Sequence, residues 1–240
     1  MVLQDLFDTL AEGEFAQLAL ANSVTGSIKE EAYPKMINAI NRSLREVYKR
    51  LILKRKDLLL HQQTGISRYY LRTEYVGTVG SMNSGMYLEE DYDDLFNDDI
   101  IRILRIKTQA DEEVPLNPVN LVEDTSVRTV AFDTLDLITN KENQILTINY
   151  QAAYPRIIIT EDFDPETFNL YYPPFIEEAL TNYIASLLVK GRITKASEGE
   201  GYATNTFTYK YDSAVQRLID LGLAEEAVTS DSRFEKRGWV

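Results

Sequence analysis

Residues 34–60 (PKMINAINRSLREVYKRLILKRKDLLL) decide how this 240-residue chain is interpreted. Apolar side chains recur there in steps of three, four and seven positions, which places them on one face of an α-helix. Pro34 suits the first helical turn, because proline lacks an N–H that this turn would leave unpaired. We therefore expect one long helix from Pro34 to about Leu60, ended by residues 62–65, with an apolar face made of Ile37, Ile40, Leu44, Val47, Leu51 and Leu58.

The same stretch carries a basic ridge. Eight basic residues and one acid, Glu46, lie between Lys35 and Lys56. At about 100° per residue, four of the cations cluster nearly opposite the apolar face: Arg42, Arg45, Lys49 and Lys56. This segregation is unusual in a chain of formal net charge −13. The ridge is either a solvated helix face or a docking surface for an acidic neighbour, such as a second copy of the chain. Direct DNA binding is a weaker alternative, because the surrounding negative field opposes it.

The rest of the sequence divides into helical and β-rich parts. Residues 1–25 show helical spacing in one or two short segments. From Ile66 to Tyr172 the chain is rich in β-branched and aromatic residues, which predicts strands at 66–71, 99–107, 127–132, 144–152 and 156–160. Helices are predicted again at about 173–190 and 207–221, the last one closed by Gly222.

This order predicts an α+β fold, in which a helical bundle carries a β-rich insertion and an extended C-terminal tail. We expect residues 1–65 to form the first part of the bundle and residues 173–224 to form its second part. The insertion is residues 66–172 and the tail is residues 225–240.

The composition removes several classes of chemistry. There is no cysteine, which excludes disulfides, thiolate metal sites and cysteine nucleophiles. The single histidine, His61, excludes multi-histidine metal sites within one chain, and we expect it to cap the end of the long helix. No long apolar run and no basic N-terminal region is present, so neither a membrane span nor a secretory signal is predicted. No catalytic or nucleotide-binding motif is found, and we expect neither enzymatic activity nor a cofactor.

A second charged segment, residues 89–99 (EEDYDDLFNDD), holds seven carboxylates in eleven positions. An EF-hand loop needs glycine at its sixth position and glutamate at its twelfth. Counted from Asp91, these positions hold Phe96 and Arg102, so the motif fails. We interpret the run as a solvated acidic loop that meets the basic ridge of another subunit through Asp91, Asp93, Asp94 and Asp98. Weak binding of a divalent cation is the alternative.

The last residues combine aromatic and basic side chains in an otherwise polar segment. Aromatic and arginine side chains are frequent anchors at interfaces, and polar segments often become ordered on binding. We hypothesise that Arg233, Phe234, Arg237 and Trp239 bind a partner protein. The alternative is that the tail is disordered or packs against its own chain.

Two stretches carry a resemblance to a known family. They are MINAINRSL at 36–44, in the first long helix, and LYYPPFIEEALTNYIA at 170–185, which follows the β-rich middle and precedes the polar tail. This arrangement resembles the head-to-tail connector proteins (adaptor, or tail tubular A-type) of short-tailed bacteriophages.

The resemblance implies a virion structural protein of the neck or tail, assembled in the host cytoplasm. Members of the family form a ring, commonly dodecameric, below the portal protein, and their C-terminal extension clasps the portal. The ring extends the DNA channel, through which DNA passes without sequence-specific binding, and docks the downstream tail or nozzle protein. The resemblance implies no metal, cofactor or membrane partner. One alternative is another neck, tail-ring or terminator protein of the virion. The other is a metal-dependent nucleic-acid-processing or hydrolytic enzyme that uses residues 89–99.

Overall fold

A computed structural model describes residues 2–12, 28–77, 85–90, 95–118, 126–138, 144–189 and 206–223. The chain is a mixed α+β protein that divides into two compact units. The helical unit comprises Met1–Leu51 and Pro155–Val240, and the sheet unit comprises Ile52–Tyr154. The chain therefore leaves the helical unit once, builds the sheet unit, and returns.

The helical unit contains α1 (Leu3–Glu12), α2 (Tyr33–Arg50), α3 (Glu177–Val189) and α4 (Thr206–Asp220) among its described residues. The helices α1 and α2 meet where the rings of Phe7 and Tyr33 lie 5.3 Å apart. The helices α2 and α3 pack closely enough for the buried Ser43 hydroxyl to donate a 3.0 Å hydrogen bond to the carbonyl of Leu180. Short 3-10 turns at Glu30–Ala32 and Pro174–Ile176 precede α2 and α3.

The predicted closing residue of α4 is confirmed. Gly222 has a φ of +87°, a conformation that glycine adopts without a Cβ penalty. Its N–H donates to the carbonyl of Ile219 at 2.8 Å, and the N–H of Leu223 donates to the carbonyl of Leu218 at 3.2 Å. These two bonds form a Schellman motif, which satisfies carbonyls that the helix end would otherwise leave unpaired.

The predicted extent of α2 is wrong at its C-terminal end. The helix ends at Arg50, because Leu51 adopts extended backbone angles (φ −118°, ψ 139°), and Arg55–His61 forms a strand instead. In this strand the side chains of Lys56, Leu58 and Leu60 point inward, a period of two that the run of leucines had obscured. His61 accordingly caps no helix. Its Nε2 lies 2.7 Å from Oε2 of Glu89 on a neighbouring strand.

The sheet unit contains nine described strands, β1 (Arg55–His61), β2 (Arg68–Tyr70), β3 (Val76–Gly77), β4 (Leu88–Glu90), β5 (Ile100–Thr108), β6 (Glu113–Val114), β7 (Val127–Ala131), β8 (Thr134–Leu137) and β9 (Ile145–Ala152). Six of them form one mixed sheet in the order β3-β4-β1-β9-β5-β6, and three form a second sheet in the order β2-β8-β7. Only the β3–β4 pair is parallel among the described strands. One apolar core draws on both sheets, with Leu58 and Ile148 from the larger and Tyr69 and Leu135 from the smaller.

The predicted strands at 99–107, 127–132 and 144–152 are confirmed as β5, β7 and β9, and the segment 66–71 contains the shorter β2. The predicted strand at 156–160 is wrong, because this segment pairs with none of the described strands. The β-rich part was predicted at residues 66–172, whereas the sheet unit is Ile52–Tyr154, so it begins and ends earlier than predicted. At the far end, residues 155–172 belong to the helical unit, where the carbonyl of Phe168 accepts a 2.8 Å hydrogen bond from the N–H of Leu3. None of the described helices is both long and apolar enough to cross a membrane.

Candidate partner-binding surfaces

The exposed face of α2 carries a row of cations that we call the basic stripe, defined as Lys35, Arg42, Arg45 and Lys49. All four side chains are exposed, and the opposite face of the helix is buried. Within the described residues, Lys35, Arg42 and Arg45 form no ion pair, and Lys49 approaches only Glu46, at 4.0 Å. The stripe therefore presents charge that the rest of the described chain does not neutralise.

Lys56 does not belong to this stripe, contrary to the sequence prediction. It lies on β1, where its side chain is only 4% exposed, and its Nζ is 2.8 Å from Oδ2 of Asp99. The same Nζ donates to the carbonyl oxygen of Leu95 at 2.7 Å, while the hydroxyl of Tyr150 donates to Oδ1 of Asp99 at 3.1 Å. The sequence prediction placed Lys56 on the same helix face as Lys49, but the helix ends at Arg50, before Lys56. Lys56 is a structural residue of the sheet unit.

Both edges of the basic stripe are fixed by contacts within the helical unit. On one edge, Arg50 donates to Oδ1 of Asp212 on α4 at 3.0 Å, and its guanidinium lies 5.2 Å from the ring centroid of Tyr211. On the other edge, the amide of Asn41 donates to the carbonyl of Ile157 and accepts from the N–H of the same residue, each at 2.9 Å. The exposed arc between these edges is thus held in a defined orientation.

The described carboxylates of the acidic run have partners inside the sheet unit. Glu89 pairs with His61, the carboxylate of Glu90 accepts the N–H of Phe96 at 2.7 Å, and Asp99 pairs with Lys56. Asp98, which we expected at a subunit contact, accepts from the N–H and the hydroxyl of Thr73 at 2.8 and 3.0 Å. Its carboxylate therefore has an intramolecular role at the start of the turn Thr73–Tyr75.

The other expected interface residues lie outside the described residues. They are Asp91, Asp93 and Asp94 of the acidic run and Arg233, Phe234, Arg237 and Trp239 of the C-terminal segment. Their assignment to partner contacts stays a prediction.

An acidic groove of about 480 Å³ opens in the helical unit, beside the start of α2, and sequence reasoning had missed it. Its charged lining is Glu30, Glu161, Asp164 and Glu166. Burial, together with the negative charges of Glu30, Asp164 and Glu166, raises the pKa of Tyr33 above its usual value. Within the described residues, no cation pairs with these carboxylates. The acidic segment EDFDPE at 161–166 can be recognised in the sequence. Its position next to Glu30 cannot, because it depends on the fold.

The segment 156–160 connects these two charged surfaces. Asn41, which holds Ile157, is the neighbour of Arg42 in α2, and Ile159 lines the acidic groove. Ile158 is 67% exposed and Ile159 is 41% exposed. Two adjacent, largely exposed isoleucines add apolar contact area between the basic stripe and the acidic groove.

A further cavity of about 320 Å³ lies in the sheet unit and is lined by a mixture of polar and apolar side chains, including Gln62, Ser126, Gln144 and Leu146. Among the described residues, no group of three or more histidine, aspartate or glutamate side chains is arranged to hold a metal ion.

No protein-family model matches the sequence, and a search of curated proteins finds no relative.

Proposed function

We propose that this protein is a virion structural protein that acts as a head-to-tail adaptor, a ring below the portal of a short-tailed bacteriophage. The proposal combines the sequence resemblance at 36–44 and 170–185 with the order of the fold. The first of these stretches lies within α2, and most of the second lies in α3 and the turn before it. The two helices pack against each other through Ser43 and Leu180, so both stretches belong to one unit.

The observation that carries the proposal is the basic stripe. Four exposed cations on one helix face repel each other, and a chain of net charge −13 offers ample acid with which to neutralise them. Among the residues that the structure describes, no carboxylate pairs with Arg42 or Arg45. A charged surface of this kind gives a protein partner electrostatic complementarity, which steers and orients association.

The finer architecture follows from the same proposal. The helical unit forms a helical bundle that serves as the body of the ring, with the sheet unit as an insertion and the C-terminal residues as an extended tail that clasps the portal. The overall negative charge suits a channel wall along which DNA slides without adhering, because like charges disfavour contact with phosphates. The opposite face of the ring docks the downstream tail or nozzle protein.

A portal-binding measurement tests this function. We expect the full chain to bind the portal protein of the same virus, with a reduced affinity after deletion of residues 226–240 and an unchanged thermal unfolding midpoint. If the truncated chain binds the portal with undiminished affinity, the tail is not the clasp. If the full chain does not bind the portal at all, the adaptor function is wrong.

A parallel assay addresses the enzymatic alternative. Magnesium-dependent cleavage of a nucleic acid that is abolished by Asp93→Asn or Asp94→Asn would favour a hydrolase over the adaptor. We expect no such activity in either the wild type or the variants.

A further inference from the structure

The acidic partner of the basic stripe does not need to come from the acidic run. All four described carboxylates of residues 89–99 are engaged within the sheet unit, by His61, Phe96, Thr73 and Lys56 in chain order. Recruiting them for a second chain would mean breaking contacts that hold strands and turns together. A carboxylate surface that is free of such contacts is the better complement.

Three of the four carboxylates of the acidic groove meet this requirement, while that of Asp164 accepts the N–H of Glu166 at 2.9 Å. The carboxylates of Glu30, Glu161 and Glu166 have no basic partner among the described residues, and they surround a concave surface of about 480 Å³. The groove also has apolar lining from Pro34, Ile159 and Phe163, which an entering side-chain stem can cover. Arginine and lysine suit such a surface, because their aliphatic stems pack on apolar groups while the charged end reaches carboxylates.

We propose that the basic stripe of one copy binds the acidic groove of a second copy, in a head-to-tail contact. The proposal deepens the adaptor function and rests on it, because a ring of identical subunits needs one surface of each copy to match a different surface of the next. Both surfaces belong to the helical unit, so each copy carries both halves of the contact. Ile159, which lines the groove, and its exposed neighbour Ile158 supply apolar area on the groove side of the contact.

A second copy is a better occupant than nucleic acid. A duplex bound at Arg42 and Arg45 would bring its phosphates against a chain of net charge −13. Salt screens charges that lie more than about 8 Å away, so a phosphate contact needs a positive surface that is uninterrupted on this scale. The stripe is bordered by acids instead, which favours an interlocking protein surface.

A charge-exchange experiment on the full chain tests the contact. The first variant is Arg42→Glu with Arg45→Glu, and the second is Glu161→Lys with Glu166→Lys. We expect the wild type to self-associate in analytical ultracentrifugation, each variant alone to associate at least tenfold more weakly, and an equimolar mixture of the two to recover association. The matched control for the first variant is Arg55→Glu with Arg128→Glu, which makes the same change in net charge at exposed positions of the sheet unit. This control should associate like the wild type.

Recovery in the mixture supports the contact, because the unchanged stripe of the second variant then meets the unchanged groove of the first, and the exchanged charges of the other two surfaces are again opposite. A monomeric wild type, a mixture that stays dissociated, or equal weakening by the control overturns it. Binding of a DNA duplex that the first variant abolishes would assign the stripe to nucleic acid and also overturns it.

The portal assay separates this inference from the adaptor function. If the chain binds portal but fails the charge exchange, the stripe-to-groove contact is wrong while the adaptor function stands. If the charge exchange succeeds and no portal binding occurs, the contact is right and the adaptor function is wrong.

Discussion

The two units handle their charges in different ways. In the sheet unit, cations and carboxylates pair across or beside strands: Lys56 with Asp99 at 2.8 Å, Arg68 with Asp136 at 2.7 Å and Arg72 with Asp133 at 3.0 Å. In the helical unit, Arg50 pairs with Asp212 and Arg217 with Glu178, but Lys35, Arg42 and Arg45 of the basic stripe and the carboxylates of the acidic groove have no ion-pair partner among the described residues. The helical unit thus combines paired charges with two charged surfaces that remain available to a partner.

Lys49 and Lys56, which are close in the sequence, show the difference between an exposed and a paired cation. They stand seven positions apart, and a continuous helix would have placed both on the same exposed face. Because α2 ends at Arg50, Lys49 stays exposed and Lys56 turns into the sheet unit. We therefore expect substitutions of paired charges in the sheet unit to reduce the free energy of unfolding strongly, and substitutions in the basic stripe to change it little.

The largest effect is expected at Lys56. Lys56→Met removes the cation and leaves the carboxylate of Asp99 largely buried without its partner, so we expect a loss of about 3 kcal/mol in the free energy of unfolding. Chemical denaturation measures this loss. Arg55→Met, at the exposed neighbouring position, is the matched control and should cost less than about 0.5 kcal/mol. Adding Asp99→Asn to Lys56→Met should recover part of the loss, and a double variant less stable than the single one would contradict the pairing.

The next effect is expected at Asn41. Asn41→Ala removes the two hydrogen bonds that hold Ile157, and at about 1 kcal/mol for each we expect a loss of about 2 kcal/mol. Faster hydrogen exchange at the N–H of Ile157 should accompany it. Asn38→Ala, an exposed position one turn earlier on the same helix, is the control. Equal effects of the two substitutions would mean that Asn41 does not anchor the segment.

A smaller, pH-dependent effect is expected at Asp136. The hydrogen bond from Arg68 holds the pKa of the Asp136 carboxyl below its usual value. The resulting stabilisation is present above the ordinary carboxyl pKa, about 3.9 in an unfolded chain, and is lost as the pH falls through the lower folded-state value. The wild type should therefore lose more stability than Asp136→Asn between about pH 5 and pH 2. Parallel denaturation midpoints for the two proteins over this range would exclude the effect.

The smallest effect on stability is expected on the basic stripe itself. Arg42→Ala with Arg45→Ala should change the free energy of unfolding by less than about 0.5 kcal/mol, because neither side chain forms an ion pair with the described part of the chain. The same variant should lose self-association, since the cations are needed only between copies. A destabilisation as large as that of Lys56→Met would show that the stripe is structural and would remove the difference between the units.

Much of the secondary structure could be predicted from periodicity. The strands β5 and β9, the start of α2, the helix α3 and the Gly222 end of α4 all have strong local signals. The end of α2 could not be predicted, because RKDLLLH is compatible with both helical and alternating patterns, and its pairing with β4 and β9 selects the strand. The segment RIIIT at 156–160 has a high strand propensity, but the side chain of Asn41 takes the place of a partner strand.

The site was predictable to a smaller extent. Arg42, Arg45 and Lys49 could be placed on one face because their spacing lies inside a real helix. The acidic groove brings Glu30 next to Glu161 and Glu166, which are more than a hundred residues away in the sequence. Such a surface has no local signal and emerges only from the packing of the helical unit.

Electron microscopy of the full chain mixed with the portal protein of the same virus tests the central claim most directly. The account predicts a closed ring of copies, coaxial with the portal ring and in contact with it. Bare portal rings beside free chains of 27.5 kDa, at concentrations well above those used for imaging complexes, would contradict it.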